Sequence, residues 1–190
     1  MRTFIAIDLP DNIKETLRQL QDKLKASGAE VNWVEPENIH LTLKFLGEID
    51  KALLPKIISV IEAAALSTTQ FTAKISSCGA FPKLNFPKII WLGVDSGADK
   101  IKDIARGLED SLAQLGVPKE ERTFSAHITI GRTKSQQNRD KLIQGLGELG
   151  SCLEKDSLEF NVGKISLFKS TLTPNGSIYE VLKEVNLKTI

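Results

Sequence analysis

The chain contains two histidines, and each opens a four-residue string of the same type. The first string is His40-Leu41-Thr42-Leu43 and the second is His127-Ile128-Thr129-Ile130. Both read His–apolar–Thr–apolar inside runs with strand character. In a strand, residues i and i+2 project to one face. Each string therefore presents an imidazole beside a hydroxyl and anchors two aliphatic side chains on the opposite face. Imidazole titrates near neutral pH, so one ring can hold a proton while the other lacks it. That division suits in-line displacement at a phosphate ester, which needs a base on the incoming oxygen and an acid on the leaving oxygen. Threonine hydroxyls can donate to the non-bridging oxygens, where negative charge concentrates. Phosphoryl transfer asks a protein mainly for positioning and charge stabilisation. Arg132 follows the second string and brings a planar donor fork that matches a phosphate. The candidate site is thus His40 and His127 as an acid–base pair, with Thr42, Thr129 and Arg132 on the phosphate. One copy alone would read as the polar face of a half-exposed strand, and the recurrence argues for chemistry. Lys44 and Lys134 read as solvated charges that raise the local potential. Trp33, Phe45 and Phe168 could stack a base, although aromatic side chains more often serve a core.

The elements that must position these groups repeat. Sliding the sequence by 87 residues lays Asp8 on Asp95 and His40 on His127. Each aspartate ends a hydrophobic strand, and each histidine follows 32 residues later, across a strand–helix–strand unit. The first half reads as a strand over 4–9 and a helix whose stripe is Ile13, Leu17, Leu20 and Leu24. Asp11 is its expected cap and Gly28 its expected end. Strands over 31–34 and 39–46 follow, then a helix over 51–66 capped by Asp50 with Pro55 in its first turn. The run 71–77 alternates as a strand, and Phe81 to Pro87 reads as a loop bracketed by two prolines. The second half restarts with a strand over 89–94. A helix carries Ile101, Ile104, Leu108, Leu112 and Leu115 and ends at Gly116. A strand over 123–130 and a weaker helix through Leu142, Ile143, Leu146 and Leu149 come next. A terminal hairpin, 164–172 with 177–185, turns on Thr173-Pro174-Asn175-Gly176. The pattern predicts an internal duplication in which two similar lobes face each other.

Composition bounds the partners. The 190 residues are 41% hydrophobic and 26% charged, as in an ordinary globular protein, with enough chain for one sizeable core. Net charge is +1, so no global basic field draws the chain onto long nucleic acid, and any such partner must be met locally. Cys78 and Cys152 lack metal-ligand spacing and read as buried thiols. No run of 18 apolar residues and no apolar leader core occurs, which predicts a cytoplasmic protein without membrane contact. No heptad seam suggests more than a monomer or implies a protein partner.

The chain resembles the two-histidine (2H) phosphoesterase superfamily, and within it the LigT-like RNA 2′,3′-cyclic phosphodiesterases, also called 2′-5′ RNA ligases. The resemblance covers nearly the whole chain. It runs through residues 2–8, Trp33 to Gly47, Phe124 to Arg132, and Leu172 to Gly176 followed by Tyr179. Ala126 departs from it, because the family usually has proline before the second histidine. The resemblance implies an α+β fold, residues 1–190 forming a single domain of two lobes, with antiparallel sheets facing a central cleft and helices outside. It implies hydrolysis of RNA ends or nucleotides bearing a 2′,3′-cyclic phosphate to a 2′-phosphate, without metal or other cofactor. It also implies that His40 is the proton donor to the leaving 3′-oxygen and His127 the acceptor from water; spacing alone does not divide these roles. Reversible 2′-5′ ligation would need no ATP, since no nucleotide-activating motif is present. Two other readings compete. A non-catalytic module binding a nucleotide or RNA terminus would not require two titrating groups. A metal hydrolase would need more ligands than two histidines without carboxylates in ligand spacing.

Overall fold

The computed structural model describes residues 1–174 and 176–189. Among the described residues there are nine strands and four α-helices. They are β1 (Arg2–Asp8), α1 (Asp11–Lys25), β2 (Val31–Trp33), β3 (His40–Glu48), α2 (Leu54–Leu66), β4 (Phe71–Lys83), β5 (Phe86–Val94), α3 (Ala98–Ala113), β6 (His127–Thr133), α4 (Arg139–Lys155), β7 (Leu158–Val162), β8 (Lys164–Thr173) and β9 (Gly176–Asn186). They form two antiparallel sheets, ordered β3-β1-β8-β9 and β2-β6-β5-β4-β7. Helix α1 starts at residue 11 and α3 at residue 98, the offset of 87 read from the sequence.

The lobes are not the two halves of the chain. Strands β8 and β9 come from the end of the chain yet complete the first sheet beside β1. Strand β2 comes from the first half yet pairs with β6 in the second sheet. The helices cross as well. Gln21 on α1, 1% exposed, donates through Nε2 to the carbonyls of Val34 (2.8 Å) and Ile130 (2.9 Å). It thereby holds β6. One position past the place equivalent to Gln21, Glu109 on α3 pairs with Lys44 of β3 at 3.0 Å. Lys44 Nζ also donates to the Pro118 carbonyl at 2.7 Å. Each motif strand is therefore pinned by the helix and connector of the other half. One continuous apolar core runs beneath both sheets, from Ile5 and Leu41 to Ile128 and Ile165.

Several expectations change. Lys44 is not a solvated charge: its side chain is 1% exposed. A bulge in β3 opposite Ile5 and Ala6 turns it away from the face of His40 and Thr42. Lys134 is exposed, as read. The bracket of prolines at 81–87 is a hairpin rather than a loop, with Pro82 in β4 and Pro87 in β5. Residues 123–126 precede β6 instead of belonging to it, and β7 has no counterpart in the sequence reading. Asp11 is the first helical residue, and no side chain caps α1. Asp50 does cap, accepting from Ala52 N, but on a short 3₁₀ turn over Lys51–Leu53 ahead of α2. The expected turn residue Asn175 lies outside the described residues. Neither thiol is fully buried: Cys152 is exposed and Cys78 half-buried. It donates to the Leu146 carbonyl, and burial pushes its pKa up to about 11. Among the described residues, no helix is long and apolar enough to cross a membrane.

Losing one member of a shielded ion pair leaves the other charge unpaired, whereas exposed pairs contribute little. Lys44→Met should lower the unfolding free energy in urea by about 1–3 kcal/mol. Lys169→Met, which removes the exposed pair with Glu180, should lower it by less than ~1 kcal/mol. Equal midpoints for the two variants would mean that the Lys44 crossing is not a structural tie.

Candidate active site

Two β-bulges decide what the cleft displays. In β3, alternation carries His40 and Thr42 to the cleft and Leu41 and Leu43 to the core, each of the latter no more than 4% exposed. The bulge then inserts one extra residue, so Lys44 stays on the core side and Phe45 returns to the cleft. In β6, His127 and Thr129 face the cleft while Ile128 and Ile130 are fully buried. A register shift between Ile90 and Trp91 marks the matching irregularity. Gly131 is consequently buried, with Val31 and Trp33 where a Cβ would sit (2.8 and 3.0 Å). Arg132 emerges exposed on the cleft face. Phe45 and Arg132 are 87 residues apart, so one repeat puts an aromatic ring where the other puts a guanidinium.

These side chains meet. One cavity of about 460 Å³ is lined by His40, Thr42, His127, Thr129 and Arg132 together. Arg2, Phe4, Phe45, Ser170 and Tyr179 line it as well, and none of its lining residues is acidic. Among the described residues three larger surface hollows exist, but none contains a histidine. Among the described residues, no ion pair involves Arg132. No group of three or more potential metal-ligating side chains gathers among them either.

Both imidazoles are held in the same way. Nδ1 of His40 lies 2.7 Å from the Asn38 carbonyl. Nδ1 of His127 lies 2.8 Å from the Ser125 carbonyl. Each carbonyl belongs to the residue two places before its histidine. A carbonyl only accepts, so Nδ1 carries a hydrogen in both rings, and Nε2 is the atom left to exchange a proton. Nε2 of His40 is 3.0 Å from the Thr42 hydroxyl. The neutral ring accepts from that hydroxyl, and the protonated ring donates to it.

The two rings differ in their surroundings. His40 stacks on Phe4 (centroids 4.7 Å apart, planes at 30°) and meets the edge of Tyr179 at 5.4 Å. Phe168, which is 7% exposed, stacks behind Phe4 at 5.1 Å. His127 meets the edge of Phe81 at 5.2 Å. Burial holds the His40 pKa below its usual 6.5, against the opposing pulls of the Asn38 carbonyl and the Asp8 carboxylate. Of the three aromatic residues singled out as stacking surfaces, Phe45 lines the cavity and is 56% exposed. Trp33 covers Gly131 and Phe168 backs Phe4, so both serve packing. Phe4 went unnoticed in the sequence because it stands in an apolar run of β1 with no spacing signal. The carbonyl clamps were equally hidden, since any residue supplies a carbonyl.

The family model for LigT-like phosphoesterases matches the chain twice, over residues 7–91 and 92–179. The chain is 40% identical to the RNA 2′,3′-cyclic phosphodiesterase of Methanocaldococcus jannaschii, over 97% of this chain and 99% of that one. It is 36% identical to the enzyme of the same name from Methanothermobacter thermautotrophicus, over 94% and 95%. The crystal structure of TT0787 of Thermus thermophilus superposes with a TM-score of 0.82 at 27% identity, covering 98% of both chains.

The lowered His40 pKa has a consequence for stability. Between 6.5 and the folded-state value, the unfolded chain binds a proton at this position that the folded chain refuses. Stability should therefore be lost as pH falls through and below 6.5, and His40→Gln should weaken that dependence. Nuclear magnetic resonance would follow the two ring signals directly. A His40 ring titrating above 6.5 would contradict the role given to burial. The doubled match, the full-length identity and the shared fold place this chain in the LigT-like phosphoesterase family.

Proposed function

We propose that this protein is an RNA 2′,3′-cyclic phosphodiesterase that opens the cyclic phosphate to a 2′-phosphate end, and that residues 1–190 act as one two-lobed domain. The observation that carries the reading is the convergence of both His/Thr pairs and Arg132 on one cavity without a carboxylate. An anion is attracted there, and nothing acidic competes for the donors. Binding alone would need no pair of imidazoles each anchored at Nδ1 with Nε2 turned to the cavity side, which favours turnover over a passive nucleotide pocket.

The reaction uses this chain's own groups. Thr42, Thr129 and Arg132 donate to the non-bridging oxygens and hold the phosphorus between the two rings. His127 takes a proton from water at Nε2 as the water oxygen bonds to phosphorus. The bond from phosphorus to the 3′-oxygen breaks, and His40 gives that oxygen a proton from Nε2. The product keeps its phosphate on the 2′-oxygen. Reversal, with a 5′-hydroxyl in place of water attacking the same cyclic phosphate, would form a 2′-5′ linkage without ATP. Burial disfavours the His40 imidazolium in the empty site, so the ring must take its proton from solvent as the substrate binds. An anionic phosphate beside the ring raises its proton affinity, because an opposite charge stabilises the imidazolium. The acid is thus armed by binding.

Phosphorus resonance of adenosine 2′,3′-cyclic phosphate incubated with the protein should show adenosine 2′-phosphate accumulating. His40→Ala and His127→Ala should each slow this by about 10²–10⁴, and Thr42→Ala and Thr129→Ala by about 10²–10³. The alkaline limb of kcat/KM, which reports the free protein, should begin at lower pH than that of kcat, which reports the complex. Accumulation of the 3′-phosphate, or single histidine variants with wild-type rates, would refute the assignment.

A further inference from the structure

The cavity extends well beyond the two histidines, along β1. Ala6 pairs with Thr42 and marks the level of the reacting phosphate, Phe4 pairs with Phe45, and Arg2 pairs with Glu48. Ala6 lies four residue steps along the strand from Arg2, roughly 13 Å at 3.3 Å per residue. Along this line the lining changes from phosphate donors, to the aromatic pair Phe4 and Phe45, to the Arg2 guanidinium. Arg2 is exposed and, among the described residues, has no ion pair or side-chain hydrogen bond. Its cross-strand neighbour Glu48 is engaged elsewhere, by the Met1 ammonium at 2.7 Å. Arg132 follows the second motif on the other sheet and lines the same acid-free cavity as Arg2.

An order of anion site, apolar surface and second anion site is the order of phosphate, nucleoside and phosphate in an RNA strand. We propose that Arg2 binds the 5′-phosphate of the terminal nucleotide, the diester joining it to the rest of the RNA, while the cyclic phosphate lies between the histidines. This rests on the activity proposed above and extends it from a terminal group to an oligonucleotide of at least two residues. A guanidinium can grip the two non-bridging oxygens of a diester bidentately. The intervening base lies over the exposed face of Phe45.

The test compares two substrates that share the bond broken. Adenosine 2′,3′-cyclic phosphate lacks the second phosphate, and the dinucleotide ApA ending in a 2′,3′-cyclic phosphate has it. Arg2→Ala should lower kcat/KM for the dinucleotide about tenfold or more, at least fivefold beyond any loss on the mononucleotide, and through KM more than kcat. Arg2→Lys should restore part of the difference. The salt dependence for the dinucleotide should weaken by about 0.7 in log–log slope in Arg2→Ala. Equal losses on both substrates, or none on the dinucleotide, would overturn the assignment. If the wild type turned over neither substrate, the activity itself would be wrong, and binding would still decide the contact. The affinity advantage of ApA 2′-phosphate over adenosine 2′-phosphate should disappear in Arg2→Ala, and its survival there would overturn the proposal.

Discussion

The crossing of the two halves is the constraint on which the rest depends. Two lobes joined by a flexible connection would leave the distance between His40 and His127 free to vary, and positional errors on the ångström scale are expensive in catalysis. Here Gln21 bonds α1 to the Ile130 carbonyl of β6, and Lys44 of β3 is bonded to Glu109 of α3 and to the Pro118 carbonyl. Each tie begins in one repeat and ends on the motif strand of the other. Both are shielded from water, where polar contacts are strong when satisfied and costly when broken. The lobes therefore cannot part without exposing the shared core and orphaning buried polar groups. The cleft is held open at fixed width by the same contacts that hold the protein together.

The ties also explain the bulges. Lys44 reaches Glu109 on the core side because one extra residue in β3 reverses the alternation after Leu43. The same reversal returns Phe45 to the cleft. In β6 the corresponding irregularity seats Gly131 against Val31 and Trp33 and sends Arg132 outward. Without it, strict alternation from His127 and Thr129 would carry residue 131 to the cleft and residue 132 inward. The guanidinium reaches the cleft because a strand from the opposite repeat packs closely against a glycine.

Much of this was legible in the sequence for a definite reason. A strand side chain's face follows from parity, so His40 with Thr42, and His127 with Thr129, declared their common direction. The offset of 87 declared the second copy, and the starts of α1 and α3 obey it to the residue. Parity fails at bulges, which is why Lys44 read as a solvated charge and is instead buried. It fails for exchange between lobes as well, because pairing of β2 with β6 and of β8 with β1 leaves no periodic trace. The hairpin over 81–87 was misread because proline is a strong breaker in isolation. In the sheet, Pro82 and Pro87 face each other at the free end of a two-stranded ribbon, where ladder donors are dispensable.

The duplication supplies two similar histidines, but acid–base catalysis needs them to differ. Their carbonyl clamps are equivalent, so the clamps cannot set the roles apart. The aromatic shells can. On the first lobe, Phe4, Phe168 and Tyr179 enclose the His40 ring. On the second, the counterpart of Phe4 is Trp91, which lies flat over Gly79 (a Cβ there would come within 2.6 Å of the indole) and contacts Phe81. Phe81 in turn offers His127 only an edge. Three rings crowd the His40 imidazole, and this burial disfavours the empty site's imidazolium, while a single ring edge meets His127; both side chains still reach the cleft. The asymmetry between the two rings thus comes from the apolar packing behind them, while their carbonyl contacts remain nearly symmetric.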